Sequence, residues 1–166
     1  FLGMTAGLLL AAPGFCATTG VVETWDGTNT AGWIRYDALN DNVLPLVNTG
    51  GYLSAVFNAQ SMPMPEASVV RAETNASGGV FTGDYLAVGV TNVSFKFFCD
   101  TVRPAILKMY FYCGTSGDWW CFPLSAGEIG TWTQYNVPMD CWKGWQRDGE
   151  VQASRFRGDL STNDWI

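Results

Sequence analysis

Apolar and polar side chains alternate along much of this chain, most clearly in Val93-Ser94-Phe95-Lys96-Phe97-Phe98-Cys99. Successive side chains of an extended strand point to opposite faces. Val93, Phe95 and Phe97 are therefore expected to face a core, and Ser94, Lys96 and Phe98 to face away from it. The run from Ala105 to Cys113 reads the same way. Leu107, Met109 and Phe111 fall on one face; Ile106, Lys108, Tyr110 and Tyr112 fall on the other. In the run from Thr131 to Val137, Tyr135 and Val137 suit the core, while Trp132, Gln134 and Asn136 suit the opposite face. If the first two runs pair through the connection 100–104, Phe97 opposite Met109 and Lys96 opposite Tyr110 is a register that keeps both apolar rows on one side. If the third run joins that sheet, Tyr, Trp, Gln and Asn share one surface.

Turn chemistry punctuates the rest of the chain at Asp26-Gly27, Asn40-Asp41-Asn42, Gly50-Gly51, Gly78-Gly79, Gly83-Asp84 and Gly114 to Asp118. The strands predicted between these turns are 21–25, 33–36, 52–57, 86–90, 93–98, 105–113, 119–123, 131–137 and 151–156. The stretch 60–65 holds two prolines and reads as a loop or sheet edge. No window keeps a helical period over three turns, so only one-turn helices are expected, near 65–69 or 81–85. Many short strands with frequent turns predict an all-β fold, and within that class an antiparallel β-sandwich of jelly-roll type.

Length and composition narrow the picture. The 166 residues suit one domain with a sizeable core. Hydrophobic residues at 48% against charged residues at 14% exclude a disordered chain. The net charge is −6, and the nine basic residues are scattered singly, which argues against nucleic acid as a partner. There is no histidine. That excludes His-based acid–base chemistry, Ser-His triads and ordinary His-ligated zinc or copper sites.

The opening FLGMTAGLLL, followed by Ala11-Ala12-Pro13-Gly14-Phe15-Cys16-Ala17, reads as the tail of a secretory signal peptide over 1–17. Cleavage after Gly14, Cys16 or Ala17 fits the small residues. The run is too short and too punctuated for a membrane span. A secreted or cell-surface domain over 18–166 is expected, with further sequence upstream of Phe1. Export leaves Cys99, Cys113, Cys121 and Cys141, which permit two disulfides in three pairings; four reduced, buried thiols are the competing reading.

The aromatic and amide surface is the sharpest functional feature. Sugar rings offer an apolar C–H face and a rim of hydroxyls, matched respectively by aromatic planes and by Gln, Asn or Lys. The predicted ligand site is Tyr110, Tyr112, Trp132 and Gln134, with Lys96 and Lys108 as polar partners and Trp119, Trp120, Trp142 and Trp145 as rim aromatics. The competing reading packs these rings under loops. Glu23 and Asp26, with Asn29, offer oxygen ligands for a structural calcium, against a reading as ordinary Asx turns. Asp148 and Glu150 share a face if extended, but their polar setting argues for solvated charges over glycoside hydrolysis, and no enzyme activity is expected. Arg157-Gly158-Asp159 is a three-residue match to an adhesion motif, and Asn75 and Asn92 open formal glycosylation sequons.

Several of these pieces, taken in order, carry a resemblance. They are Trp25-Asp26-Gly27 with Gly32-Trp33, Gly50-Gly51-Tyr52-Leu53, Phe81-Thr82-Gly83-Asp84-Tyr85, Val93-Ser94-Phe95, Gly130-Thr131-Trp132 to Val137-Pro138, and Trp142. Together they resemble exported bacterial jelly-roll domains related to galactose-binding-like and carbohydrate-binding modules. The resemblance implies a non-catalytic carbohydrate-binding module, with a polysaccharide or cell-surface glycan as partner. A structural or adhesive surface domain without a small ligand is the alternative. It also implies that Asp164-Trp165-Ile166 opens a further core strand, whose remainder would lie beyond residue 166.

Overall fold

The three alternating runs form three of the four longest strands among the described residues, with the faces that their alternation dictates. The computed structural model describes residues 17–37, 41–56, 68–147, 150–162 and 166. Its strands are β1 (Trp33–Asp37), β2 (Asn42–Leu44), β3 (Val47–Asn48), β4 (Leu53–Ser54), β5 (Ser68–Ala72), β6 (Asn92–Phe97), β7 (Leu107–Cys113), β8 (Asp118–Leu124) and β9 (Thr133–Pro138). One short helix, α1 (Ala153–Asp159), and a few 3-10 turns complete it. The strand pairs are antiparallel, so the fold is all-β with little helix.

Among the described residues the strands form a sheet β2-β1-β5 and three ribbons, β3-β4, β6-β9 and β7-β8. The expected pairing of β6 with β7 does not form. Lys96 lies opposite Gln134, not Tyr110, and Met109 lies opposite Phe122, not Phe97. Loop closure explains the choice. Residues 114–117 close a short β7-β8 hairpin in which Gly117, at φ 73°, donates its N–H to the Cys113 carbonyl at 2.8 Å. Such a hairpin restricts the chain less than a longer connection would. Cys99 meanwhile bridges to Ile129 in parallel, which draws the end of β6 toward the approach to β9.

The inward rows meet in one core. Met109 and Phe111 of β7, Trp120 of β8 and Val137 of β9 join Tyr85, Met139, Trp145, Phe156 and Leu160; Val93, Phe95, Phe122 and Leu124 pack against them. The Phe111 ring lies 5.1 Å from Trp145, 5.3 Å from Phe156 and 6.2 Å from Trp120. Burial of each such side chain contributes about 1.5–3 kcal/mol. The outward rows of the β6-β9 and β7-β8 ribbons therefore turn away from a shared interior.

Helix α1 replaces the strand predicted over 151–156. Phe156, Asp159 and Leu160 fall at helical spacing and are all buried. So short a helix owes its stability to docking and little to propensity. Phe156 packs on Trp120 at 5.0 Å, and Asp159 accepts a 2.8 Å hydrogen bond from the Trp120 indole. The predicted strand 86–90 is a turn: Asp84 Oδ1 accepts from the Ala87 N–H at 2.8 Å, and Val90 N–H reaches the Tyr85 carbonyl at 2.9 Å. A side chain that satisfies the backbone locally competes with a strand. Residues 21–25 form no strand either, and Trp25 has φ 50°. Where 65–69 suggested a helical turn, Ser68–Ala72 is β5, paired along its length with β1. The stretch 60–65 lies outside the described residues.

The predicted disulfides do not form: Cys99, Cys113, Cys121 and Cys141 are all free thiols. Cys113 belongs to the inward row of the β7-β8 ribbon, whereas Cys121 pairs with Tyr110 in its outward row. Thiols on opposite faces of one ribbon cannot bridge. Burial pushes the Cys99 and Cys141 thiols above their ordinary value.

Of the predicted signal segment only Ala17 is described; it is buried in the core, and Thr18 N–H reaches the Val80 carbonyl at 3.0 Å. At the other end, Ile166 exchanges backbone hydrogen bonds of 2.7 and 3.3 Å with Ala72, on the edge of β5 away from β1. Asp164 and Trp165 lie outside the described residues. No helix among the described residues is long and apolar enough to cross a membrane.

Candidate functional site

Strand register builds a continuous row on the outward face of the β6-β9 ribbon. Ser94 lies opposite Asn136 and donates a 2.6 Å hydrogen bond to its Oδ1. Lys96 lies opposite Gln134. One step further, Phe98 and Trp132 meet with ring centroids 5.3 Å apart. Tyr52 then joins Trp132 edge to face at 5.4 Å. It arrives on a turn in which Gly50 (φ 77°) and Gly51 (φ 125°) adopt left-handed backbone, and the Thr49 N–H and hydroxyl both donate to the Tyr52 carbonyl. Tyr52, Phe98 and Trp132 are 43%, 36% and 46% exposed. These three rings are therefore an open cluster and not a satellite of the core. Lys96 and Gln134 are exposed beside them.

The six predicted ligand residues do not form one site. Trp132, Gln134 and Lys96 share the β6-β9 face. Tyr110, Tyr112 and Lys108 lie in the outward row of the β7-β8 ribbon, where Tyr112 is opposite Trp119 with rings 4.9 Å apart. The division follows from the partner choice of β7: paired with β8, it carries its tyrosines away from Trp132. Two of the predicted rim aromatics are core residues, since Trp120 and Trp145 are fully buried. Trp142 is 77% exposed on a 3-10 turn, and its own N–H donates to Asp140 Oδ1 at 3.1 Å. Reading each strand by its alternation finds Phe98. It misses Tyr52, whose only sequence signal is an aromatic directly after Gly50-Gly51.

The calcium expectation is not met. Glu23 Oε1 accepts from the Trp25 N–H at 3.0 Å, and its Oε2 accepts from the Ser77 hydroxyl. Asp26 Oδ2 accepts from Thr24 at 2.7 Å, and Asn29 Oδ1 from the Ala31 N–H at 2.9 Å. These oxygens hold local turns in place of converging, and among the described residues no three His, Cys, Asp or Glu side chains form a metal-binding group. Glu150 pairs with Arg147 in a tight bridge, and Asp148 lies outside the described residues. The Arg157-Gly158-Asp159 tripeptide is helical with its carboxylate buried on Trp120, so it is not displayed as a recognition loop. Asn92 and Asn75 are both exposed.

Several arginines are held by internal carboxylates. Arg71, Arg103, Arg147 and Arg155 are all ion-paired. Asp118 is gripped by two of them, Arg147 at 2.8 Å and Arg155. Burial pushes its carboxyl up, but the Arg155 hydrogen bond and the two guanidinium charges outweigh that and hold it below the ordinary aspartate value. Among the described residues neither Lys96 nor Lys108 forms an ion pair. A cavity of about 290 Å³ between residues 17–21 and 89–94 is lined by none of the six predicted ligand residues.

The arrangement on the β6-β9 face suits noncovalent capture: exposed ring planes, an amide, and a cation with no internal partner. No known protein family, no curated protein and no solved structure matches this chain.

Proposed function

We propose that this chain is an exported, non-catalytic carbohydrate-binding module that holds a glycan on the outward face of its β6-β9 ribbon. The observation that carries this reading is the row from Tyr52 through Trp132 and Phe98 to Gln134 and Lys96. It sets exposed rings beside hydrogen-bonding groups at strand spacing. Rings stack on the C–H faces of sugars, and the amide and ammonium satisfy the hydroxyl rim. In this reading the β6-β9 and β7-β8 ribbons are the two layers of a jelly-roll sandwich like that of galactose-binding-like modules, an assignment supported by their shared core. Export is supported by the apolar run at 1–10 and the small residues after it. Burial of Ala17 favours cleavage after Gly14 or Cys16 over cleavage after Ala17.

Retention of the protein on a panel of immobilised polysaccharides tests the reading. Selective retention on one polymer class, lost in Trp132→Ala, is the expected result. Absence of retention on every polymer would replace the reading with that of an adhesive or structural surface domain, whose exposed aromatics meet another protein.

A further inference from the structure

The outward row of the β7-β8 ribbon is a second face of the same chemical character. Lys108, Tyr110 and Tyr112 alternate along β7, and Trp119 stands opposite Tyr112. The Trp119 indole lies 4.9 Å from the Tyr112 ring and 6.5 Å from the Tyr110 ring, and it is 46% exposed. At about 3.4 Å per residue the row from Lys108 to Tyr112 runs about 14 Å, a length suited to a polymer and not to a single small ligand. The β6-β9 face repeats this composition, with Trp132 and Phe98 as the rings and Lys96 as the cation.

We infer that the β7-β8 face is a second glycan subsite, and that the domain bridges two chains of an acidic, uronate-bearing polysaccharide. The inference rests on the reading of the β6-β9 face as a glycan site. Two observations carry it further. First, the two ribbons share one core but are not hydrogen-bonded to each other among the described residues, so their outward rows belong to two different ribbons. Two sites on two ribbons of one domain make it bivalent toward a polymer. Second, four of the arginines are taken up in ion pairs, yet each aromatic face keeps one exposed lysine that forms no ion pair among the described residues. A ligand that carries both apolar ring faces and carboxylates matches rings and cation together, with the lysine meeting a full charge where an uncharged sugar offers only hydroxyls.

The test uses the whole chain, with trigalacturonate as the short probe, polygalacturonate as the long one and dextran as an uncharged control. Wild type is expected to bind two trigalacturonates per chain and to cross-link polygalacturonate into a turbid suspension, with dextran left clear. Trp132→Ala and Trp119→Ala should each leave one trigalacturonate per chain and abolish turbidity while retaining binding. Lys108→Gln, an exposed change that keeps the fold intact if Trp119→Ala does not, should weaken the β7-β8 site about tenfold, the effect of losing one charge-assisted contact. One trigalacturonate per chain, with Trp119 and Lys108 variants unaltered, would overturn the second subsite and leave the first standing. Equal turbidity with dextran would overturn the acidic ligand class. Binding of no probe would overturn the inference, and failure of the wider polysaccharide panel as well would overturn the proposed function beneath it.

Discussion

Tyr52 and Trp132, far apart in the chain, meet edge to face with ring centroids 5.4 Å apart while both remain nearly half exposed. A hydrophobic core would have covered them. Their contact instead fixes two ring planes at the surface, which limits the entropy lost when a ligand stacks there.

Trp132→Ala is therefore expected to weaken glycan binding at least about tenfold, as loss of a central aromatic anchor does, and to leave the melting temperature within a few degrees of wild type. Titration calorimetry and thermal unfolding measured on the same preparation separate the two effects. A large drop in melting temperature would identify Trp132 as a structural residue.

Asp118 links β8 to α1 and to the Arg147 turn, and it dictates a pH response. Its carboxyl titrates below the ordinary aspartate value in the fold, so the stability it contributes is complete above the unfolded value of about 3.9. That stability is lost as pH falls through the lower folded value. Asp118→Asn should cost about 1–3 kcal/mol at neutral pH, a figure reduced from that of a fully buried pair because both arginines are partly solvated. It should also flatten the acid limb of the stability curve. Denaturant titrations at neutral pH and at pH 3 check both effects.

Cys99, Cys113, Cys121 and Cys141 are expected to be alkylated completely after denaturation without any reductant, and reductant should leave the melting temperature unchanged. In the native protein Cys121, the least buried, should react first. Mass spectrometry of the alkylated peptides decides the matter; a peptide pair joined through two of these residues would contradict the free-thiol arrangement.

Gly127 has no room for a side chain, because a Cβ there would run into the Thr133 side chain at the start of β9. Gly127→Ala is expected to destabilise the fold by about 1–3 kcal/mol, the usual effect of overpacking. Because β9 carries Gln134 and follows Trp132, the change should weaken glycan binding as well. Thr133→Ala, which removes the hydroxyl that the new Cβ would meet, should restore part of both losses in the double variant. Denaturant midpoints and binding constants for the single and double variants test this coupling.

What the sequence made legible follows from how local each signal is. The faces of β6, β7 and β9 depend only on alternation within a strand, and Phe95, Phe111 and Val137 point inward as that rule requires. Strand partners depend on which connection closes first, and nothing in the β6 or β7 pattern reveals that Gly117 will turn β7 onto β8. That single choice divided the predicted ligand residues between two faces. Helix α1 leaves no clear sequence signal because seven residues carry too little periodicity, and its stability comes from Trp120 and Asp118 elsewhere in the chain. β2 and β3 follow closely on Asp41 and are too short to show a period of their own. Tyr52 could not be foreseen as part of the site, since its place beside Trp132 is a tertiary contact.

The measurement that tests the central claim most directly is the indole N–H spectrum of the tryptophans as a retained oligosaccharide is added. The Trp132 resonance is expected to move with saturation, while those of Trp120 and Trp145, buried in the core, stay fixed. A bound oligosaccharide that leaves the Trp132 resonance unmoved would contradict that claim.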